Sequence, residues 1–241
     1  MKRKALKKDF DDPVVQEMGF PSIADMWTDE ARESYGEPAD VHPDVAARID
    51  AESPDIVLDI GCGSGLLRAA LTTRWIGIDA SIEQLRQAGG PSAIADACAL
   101  PFPDASFGAA ASLYTLYFFD EPSRVADEAF RVLQPGGLFA VCAPSRFDAP
   151  EIAHIAPRAD TEAFCSEDIP ELLAPRFVDV EINPWDFPFL ELRDTDVARE
   201  YLYFWYYPQL TREDAAVHAA ALDLPLKLTK KGAWAVGRKP R

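Results

Sequence analysis

The chain has 241 residues, 48% of them apolar, and its 40 acidic against 24 basic side chains leave a formal net charge of −16. That length suits one large domain, or one domain with a lid, and the apolar content excludes wholesale disorder. So acidic a chain is a poor partner for nucleic acid, whose binding rests on Lys and Arg neutralising phosphates. The basic run Met1–Lys8 reads as a solvated terminus in preference to an RNA or membrane contact. No stretch approaches the roughly 20 apolar residues of a membrane span, and no apolar run follows the basic start as a secretory signal requires. Cys62, Cys98, Cys142 and Cys165 form no Cys-x-x-Cys pair and read as reduced thiols of a cytoplasmic protein. His42, His154 and His218 are scattered, so no metal is expected.

Residues 1–50 are polar and broken by Pro13, Pro21, Pro38 and Pro43, with a short helical pattern over 23–35; they read as an N-terminal helical arm or lid. Residues 55–60 form a short apolar strand bounded by Pro54 and Gly61. A helix starts at Leu66 and runs to Leu71. Trp75–Asp79 is a second strand, and Ser81 caps a helix through Ala88 with Glu83 in its first turn. Ser92–Ala95 and Phe107–Leu113 are the third and fourth strands. A helix over Pro122–Leu133 ends before Gln134-Pro135-Gly136-Gly137, and Leu138–Ala143 is the fifth strand. Strands alternating with helices at this spacing imply right-handed β-α-β units and a parallel sheet with helices on both faces. Beyond residue 145, Ser166–Leu173 reads as helix, Phe177–Ile182 as strand and Ala233–Val236 as the final strand. A helical insertion precedes that strand and carries the aromatic segment Tyr201–Tyr207.

Gly61, Gly63 and Gly65 sit between the first strand and its helix. Glycines there let the backbone turn tightly and approach a ligand, and the helix N-terminus offers unpaired N–H groups. Alone, this suits any nucleotide-like ligand, and Asp79 at the end of the second strand would bind ribose hydroxyls in either case. The spacing separates the readings. A dinucleotide site wants Gly-x-Gly-x-x-Gly, whereas here it is Gly-x-Gly-x-Gly, with Asp59 two residues before the first glycine. A carboxylate there repels pyrophosphate and suits an ammonium or a sulfonium. A nicotinamide-dependent dehydrogenase is therefore disfavoured.

Five ordered blocks over residues 55–145 resemble the class I S-adenosylmethionine-dependent methyltransferases of the small-molecule, methyltransferase type 11-like branch. They are Val57–Gly65, Ile76–Ser81, Ala95–Phe107 with its Leu-Pro-Phe-Pro-Asp run, Leu113–Asp120 and Phe130–Leu138. The resemblance implies a Rossmann-like α/β fold with a seven-stranded, mostly parallel sheet. It implies a methyltransferase domain over 51–241, with a cofactor half at 55–145 and acceptor-side elements at 146–230. It also implies S-adenosylmethionine as cofactor. Asp59, Gly61, Cys62, Gly63 and Gly65 would lie by the methionine part and Asp79 by the ribose. Ala80 and Ser81 would lie beside the adenosine, Asp96 and the backbone of Ala97 at the adenine edge, and Leu113 and Tyr114 near the sulfonium methyl. One departure is Gly108, where family members carry Asp after the Phe that opens the fourth strand.

Methyl transfer from a sulfonium is an in-line displacement in which orientation supplies much of the rate. A base helps when the acceptor is a hydroxyl of high pKa. His154, Tyr114 and Tyr117 are the candidates for that role, the tyrosines doubling as pocket walls. The expected partner is a small or medium-sized organic methyl acceptor, with oxygen favoured over nitrogen or carbon, no nucleic acid and no membrane, in a monomer or homodimer. The competing readings are a protein or RNA acceptor, and a non-catalytic cofactor-binding regulator or scaffold. Tyr201–Tyr207 reads equally as a lid over an apolar acceptor and as ordinary helix packing.

Overall fold

The computed structural model describes residues 40–155, 163–206 and 210–241. The predicted helix at 23–35, most of the predicted arm and the basic run at 1–8 lie outside those residues, as does Tyr207. By compactness the chain divides into a larger unit, Asp40–Ser145 with Phe164–Trp185 and Gly232–Arg241, and a smaller one that includes Arg146–Ala163 and Asp186–Lys231.

Along the chain the elements are α1 (His42–Asp50), β1 (Val57–Ile60), α2 (Leu66–Ala70), β2 (Trp75–Asp79), α3 (Ile82–Ala88), β3 (Ser92–Ile94), β4 (Phe107–Leu113), α4 (Pro122–Val132), β5 (Leu133–Pro144), α5 (Ile169–Leu173), β6 (Val178–Leu192), α6 (Thr195–Tyr206), α7 (Arg212–Ala220) and β7 (Leu226–Arg238). The seven strands form one sheet in the order β3-β2-β1-β4-β5-β7-β6. The pairs β3-β2, β2-β1, β1-β4 and β4-β5 are parallel, and β7 runs antiparallel to β5 from Leu138 opposite Arg238 to Pro144 opposite Gly232.

The central strands are apolar on both faces, as a sheet covered on both sides requires. Leu58, Ile60, Phe139 and Val141 point into a core shared with Val125, Ala129 and Val132 of α4. Val57, Ala109, Ala111, Leu138 and Cys142 point the other way, onto Val45 and Ile49 of α1. Residues 40–50, placed in the arm by the sequence reading, therefore pack in the larger unit. Pro43 opens α1 at its first turn, where its missing N–H goes unneeded, and the buried spacing Val45, Ala46, Ile49 fits one helix face.

Three strands outrun their sequence prediction, β5 by starting at Leu133 and taking in the expected turn at 134–137. Phe177–Ile182 is part of the longer β6, and Ala233–Val236 is the middle of β7. β6 carries Pro184 and Pro188. β6 is the outermost strand of the sheet, where a residue without an N–H is tolerated. The smaller unit has its own core, in which Ile152, Leu190, Leu192, Ala198, Leu202 and Leu228 are buried. Tyr201 is buried there too, with Tyr203 and Tyr206 packed against it.

Gly108, the departure noted above, has a steric reason. A Cβ on it would stand 2.8 Å from the Cβ of Pro54. No side chain fits there while Pro54 leads into β1. The Leu-Pro-Phe-Pro-Asp run is held from α4. Arg131 donates to the carbonyls of Phe102 (2.8 Å) and Leu100 (3.0 Å) and to Asp104, while Glu128 accepts the Leu100 N–H at 2.7 Å. The hydrogen bond from Arg131 is the leading cause that lowers the Glu128 carboxyl below its ordinary range.

Arg131→Met should lower stability by about 2 kcal/mol, because it strips charged donors from two backbone carbonyls. The contribution linked to Glu128 ionisation is present above the ordinary carboxylate pKa and lost as pH falls through its lowered value. Urea unfolding of both proteins at pH 7 and at pH 3 checks this, and the gap between them should narrow at pH 3.

Candidate functional site

The sheet order reverses between β1 and β4, which leave from the middle of the sheet with their connections on opposite sides. Ligands of open α/β sheets bind at the carboxyl ends of the strands at such a point. Here that point is closed by one contact. Thr115, just past β4, sits against the loop after β1: its hydroxyl lies 2.9 Å from the Leu113 carbonyl and 3.2 Å from the Gly61 carbonyl. A Cβ on Gly61 would collide with the Thr115 side chain, and Gly61 also has φ +73°. Gly63 and Gly65 have φ of +52° and +85°, so all three glycines hold the left-handed conformation that side chains resist. Gly65 caps α2, and the space in front of Gly63 is open except for Gln84.

Asp79, at the end of β2, reaches across to this loop. One carboxylate oxygen accepts the Gly63 N–H and the other accepts the Ser81 N–H, both at 2.9 Å. Each oxygen keeps further lone pairs for a ligand hydroxyl. Ser81 caps α3 through Gln84 N–H, as predicted, and Ala80 is exposed.

Asp59 is 3% exposed. Its carboxylate accepts the indole N–H of Trp75 at 3.1 Å, and burial pushes its pKa up to about 6 against that hydrogen bond. The Trp75 ring reaches Asp59 by crossing Gly77, where any Cβ would strike it, and Cys62 completes the cluster. Burial raises the Cys62 thiol pKa well above its ordinary value, so it is a neutral wall. Asp96, after β3, is exposed and folds back to accept the Cys98 N–H at 2.8 Å. Ala97 turns its side chain into the core.

Tyr114 follows β4 with φ +55°, an uncommon conformation for a bulky residue and one that clusters at functional sites. Its N–H is tied to the Cys142 carbonyl at 2.9 Å. Its ring stands 6.0 Å from His42 and 6.4 Å from Trp185. Burial is the main cause that raises its pKa far above the ordinary phenol, so it stays protonated. Leu113 is buried. Tyr117 packs beside Phe118, with ring centroids 4.5 Å apart, and against the core under β4. His154 is exposed, in a turn of the smaller unit.

Sequence reading passed over three groups. Thr115 and Trp75 matter only through tertiary contacts. His42 is buried at the first residue of α1, with its Nδ1 on the Asp40 carboxylate. Burial pushes the Asp40 carboxyl up, but the hydrogen bonds from His42 prevail and leave it below its ordinary value. Asp59 feels both His42 and Asp79. None of the four cysteines is in a disulfide.

Residues 58–141 match the family model of the methyltransferase domain. Over 112 residues the chain is 32% identical to 27-O-demethylrifamycin SV methyltransferase of Amycolatopsis mediterranei, covering 40% of this chain and 41% of that one. Over 140 residues it is 30% identical to the O-methyltransferase resE of Aspergillus sclerotiorum, covering 51% and 53%. The chain thus spans about half the length of these relatives, or less. Among solved structures, the YcgJ protein of Bacillus subtilis superposes with a TM-score of 0.62 at 19% identity, covering 83% of this chain and 98% of that one. The phosphoethanolamine N-methyltransferase 2 of Haemonchus contortus, in complex with S-adenosylhomocysteine, superposes with a TM-score of 0.55 at 15% identity, covering 98% and 61%. Both likenesses are of fold. No helix among the described residues is long and apolar enough to cross a membrane.

Gly61→Ala should destabilise the protein by about 2–4 kcal/mol, from a forced overlap with Thr115 plus a left-handed φ. Thr115→Ala in that background should recover part of the loss in urea unfolding. No recovery would mean that Thr115 is not what Gly61 makes room for.

Proposed function

The chain belongs to the class I S-adenosylmethionine-dependent methyltransferases, and on that premise we propose that it transfers a methyl group from S-adenosylmethionine to a small or medium-sized organic acceptor at oxygen. The observation that carries the reading is the placement of three carboxylates, Asp59, Asp79 and Asp96, at the carboxyl ends of β1, β2 and β3 around a left-handed glycine loop. Each suits a different part of one ligand. Asp59, buried and short of partners, fits the cationic amino-acid arm. Asp79, anchored by two N–H groups, fits vicinal ribose hydroxyls, with Ala80 and Ser81 beside the adenosine. Asp96 and the Ala97 backbone fit the adenine edge. Leu113 and Tyr114 would lie by the reactive end.

Bound S-adenosylmethionine supplies a methyl group already activated on a sulfonium. The protein's part is to orient and to handle one proton. Tyr114, kept neutral by burial, would wall the reacting space and can donate a hydrogen bond but cannot serve as a base at neutral pH. A hydroxyl acceptor loses a proton as its oxygen is methylated. His42 is the histidine that stands beside Tyr114, its Nδ1 held by Asp40 and its Nε2 left to accept that proton. His154 is the other candidate base. Oxygen is favoured because two relatives are named for it.

Titration calorimetry with S-adenosylmethionine tests the cofactor reading. Saturable binding is expected, weakened at least tenfold in Asp79→Ala, since two ligand hydrogen bonds to a charged group are lost. An absence of binding sinks it. For any hydroxyl acceptor that the enzyme turns over, His42→Asn should reduce kcat on the order of a hundredfold. Cofactor affinity should stay unchanged. The same outcome in His154→Asn instead would assign the base to His154.

A further inference from the structure

A cavity of about 650 Å³ opens at the end of the sheet opposite the glycine loop, where β1, β2 and β3 begin. Its apolar walls include Ile56, Leu71, Trp75 and Pro91, and its polar groups include Arg68 and Arg74. No carboxylate among the described residues lines it. That is unusual in a chain with 40 acidic side chains against 24 basic ones. Several other arginines meet acids: Arg48 pairs with Glu52 and Glu181, Arg131 with Glu128 and Asp104, and Arg176 with Asp127. Asp50, the nearby acid, is taken up by the hydroxyls and N–H groups of Thr72 and Thr73.

The two arginines differ in what holds them. Arg68 lies over the Gly89–Gly90 turn and gives one N–H to the Ala88 carbonyl at 3.3 Å, so its stem is fixed and most of its donors remain. A Cβ on Gly90 would stand 2.6 Å from its Nε. Arg74, one residue before β2, is exposed, and no hydrogen bond or ion pair among the described residues engages its guanidinium. Two forked donors beside an apolar wall are the groups that recognise a phosphate or carboxylate on an apolar body.

We propose that this cavity is a second ligand site, specific for a small organic anion with a phosphate or carboxylate head, and that it signals to the glycine loop through Trp75. Trp75 lines the cavity and its indole N–H holds Asp59. A ligand that pins Trp75 strengthens that hydrogen bond and favours the ionised carboxylate, the form that attracts a cationic arm. The signalling half rests on the cofactor reading above; the binding half does not.

The test is calorimetric titration of the full chain with phenyl phosphate, with benzoate, and with benzyl alcohol as the uncharged counterpart. Saturable binding of at least one anion is expected, with no binding of benzyl alcohol. Arg74→Glu, a change at an exposed position, should weaken it at least tenfold, and Arg68→Met should do likewise. Whether phosphate or carboxylate binds more tightly identifies the head group. With the anion at saturation, affinity for S-adenosylhomocysteine should rise at least threefold, and Trp75→Phe, titrated again to anion saturation, should abolish that rise. Absent binding, equal binding of benzyl alcohol, or indifference to both arginine substitutions overturns the site. Anion binding that leaves S-adenosylhomocysteine affinity unmoved overturns the signalling. A protein that binds the anion but not S-adenosylhomocysteine refutes the cofactor reading and leaves the site standing.

Discussion

A carboxylate sealed from water under a glycine loop is the constraint around which the larger unit is arranged. Asp59 lies on β1 with one side-chain donor among the described residues, the Trp75 indole, and ionising it there costs roughly 3 kcal/mol relative to an exposed acid, from a pKa moved to about 6. A fold keeps such a group when something later repays the desolvation. The neighbouring pieces fit that purpose. Gly77 is bare so that the Trp75 ring can cross it, and Gly61 is bare so that Thr115 can close the end of β4 against the end of β1. The loop is thereby rigid on one side and open at Gly63 on the other.

The apolar strands do the rest by position. Because Leu58 and Ile60 belong to one core and Val57 to the opposite one, β1 is gripped from both faces and its end cannot drift. Asp79 then serves two masters before any ligand arrives, accepting from Gly63 and from Ser81. Its oxygens are already oriented, which spares a ligand the entropy of ordering them. The strained φ of Tyr114 likewise turns a bulky ring toward His42 and Trp185 at the place where the sheet order reverses.

Much of this was legible in the sequence because it is local. The Gly-x-Gly-x-Gly spacing, the acid before it and the acids after the second and third strands are read from neighbours in the chain, and the strands at Trp75–Asp79 and Phe107–Leu113 run as their apolar patterns imply. What was not legible depends on partners far apart. Nothing near Gly108 says that Pro54 occupies its side-chain space. Nothing near Arg131 says that it clasps carbonyls about thirty residues earlier. Pro184 and Pro188 lie in an edge strand, and edge position is a property of the sheet and not of the segment. His42 looked like one of three scattered histidines until α1 placed it beside Tyr114.

The charge state of Asp59 is where these arguments meet, and it can be measured directly. Carbon-13 NMR of the protein labelled at aspartate carboxyls, with Asp59 assigned through Asp59→Asn, follows its titration with and without S-adenosylmethionine. The account predicts a midpoint near pH 6 in the free protein and a fall of at least one pH unit on binding, as a cationic arm stabilises the ionised form. A midpoint near 4 in the free protein, or one that the cofactor leaves in place, would contradict it.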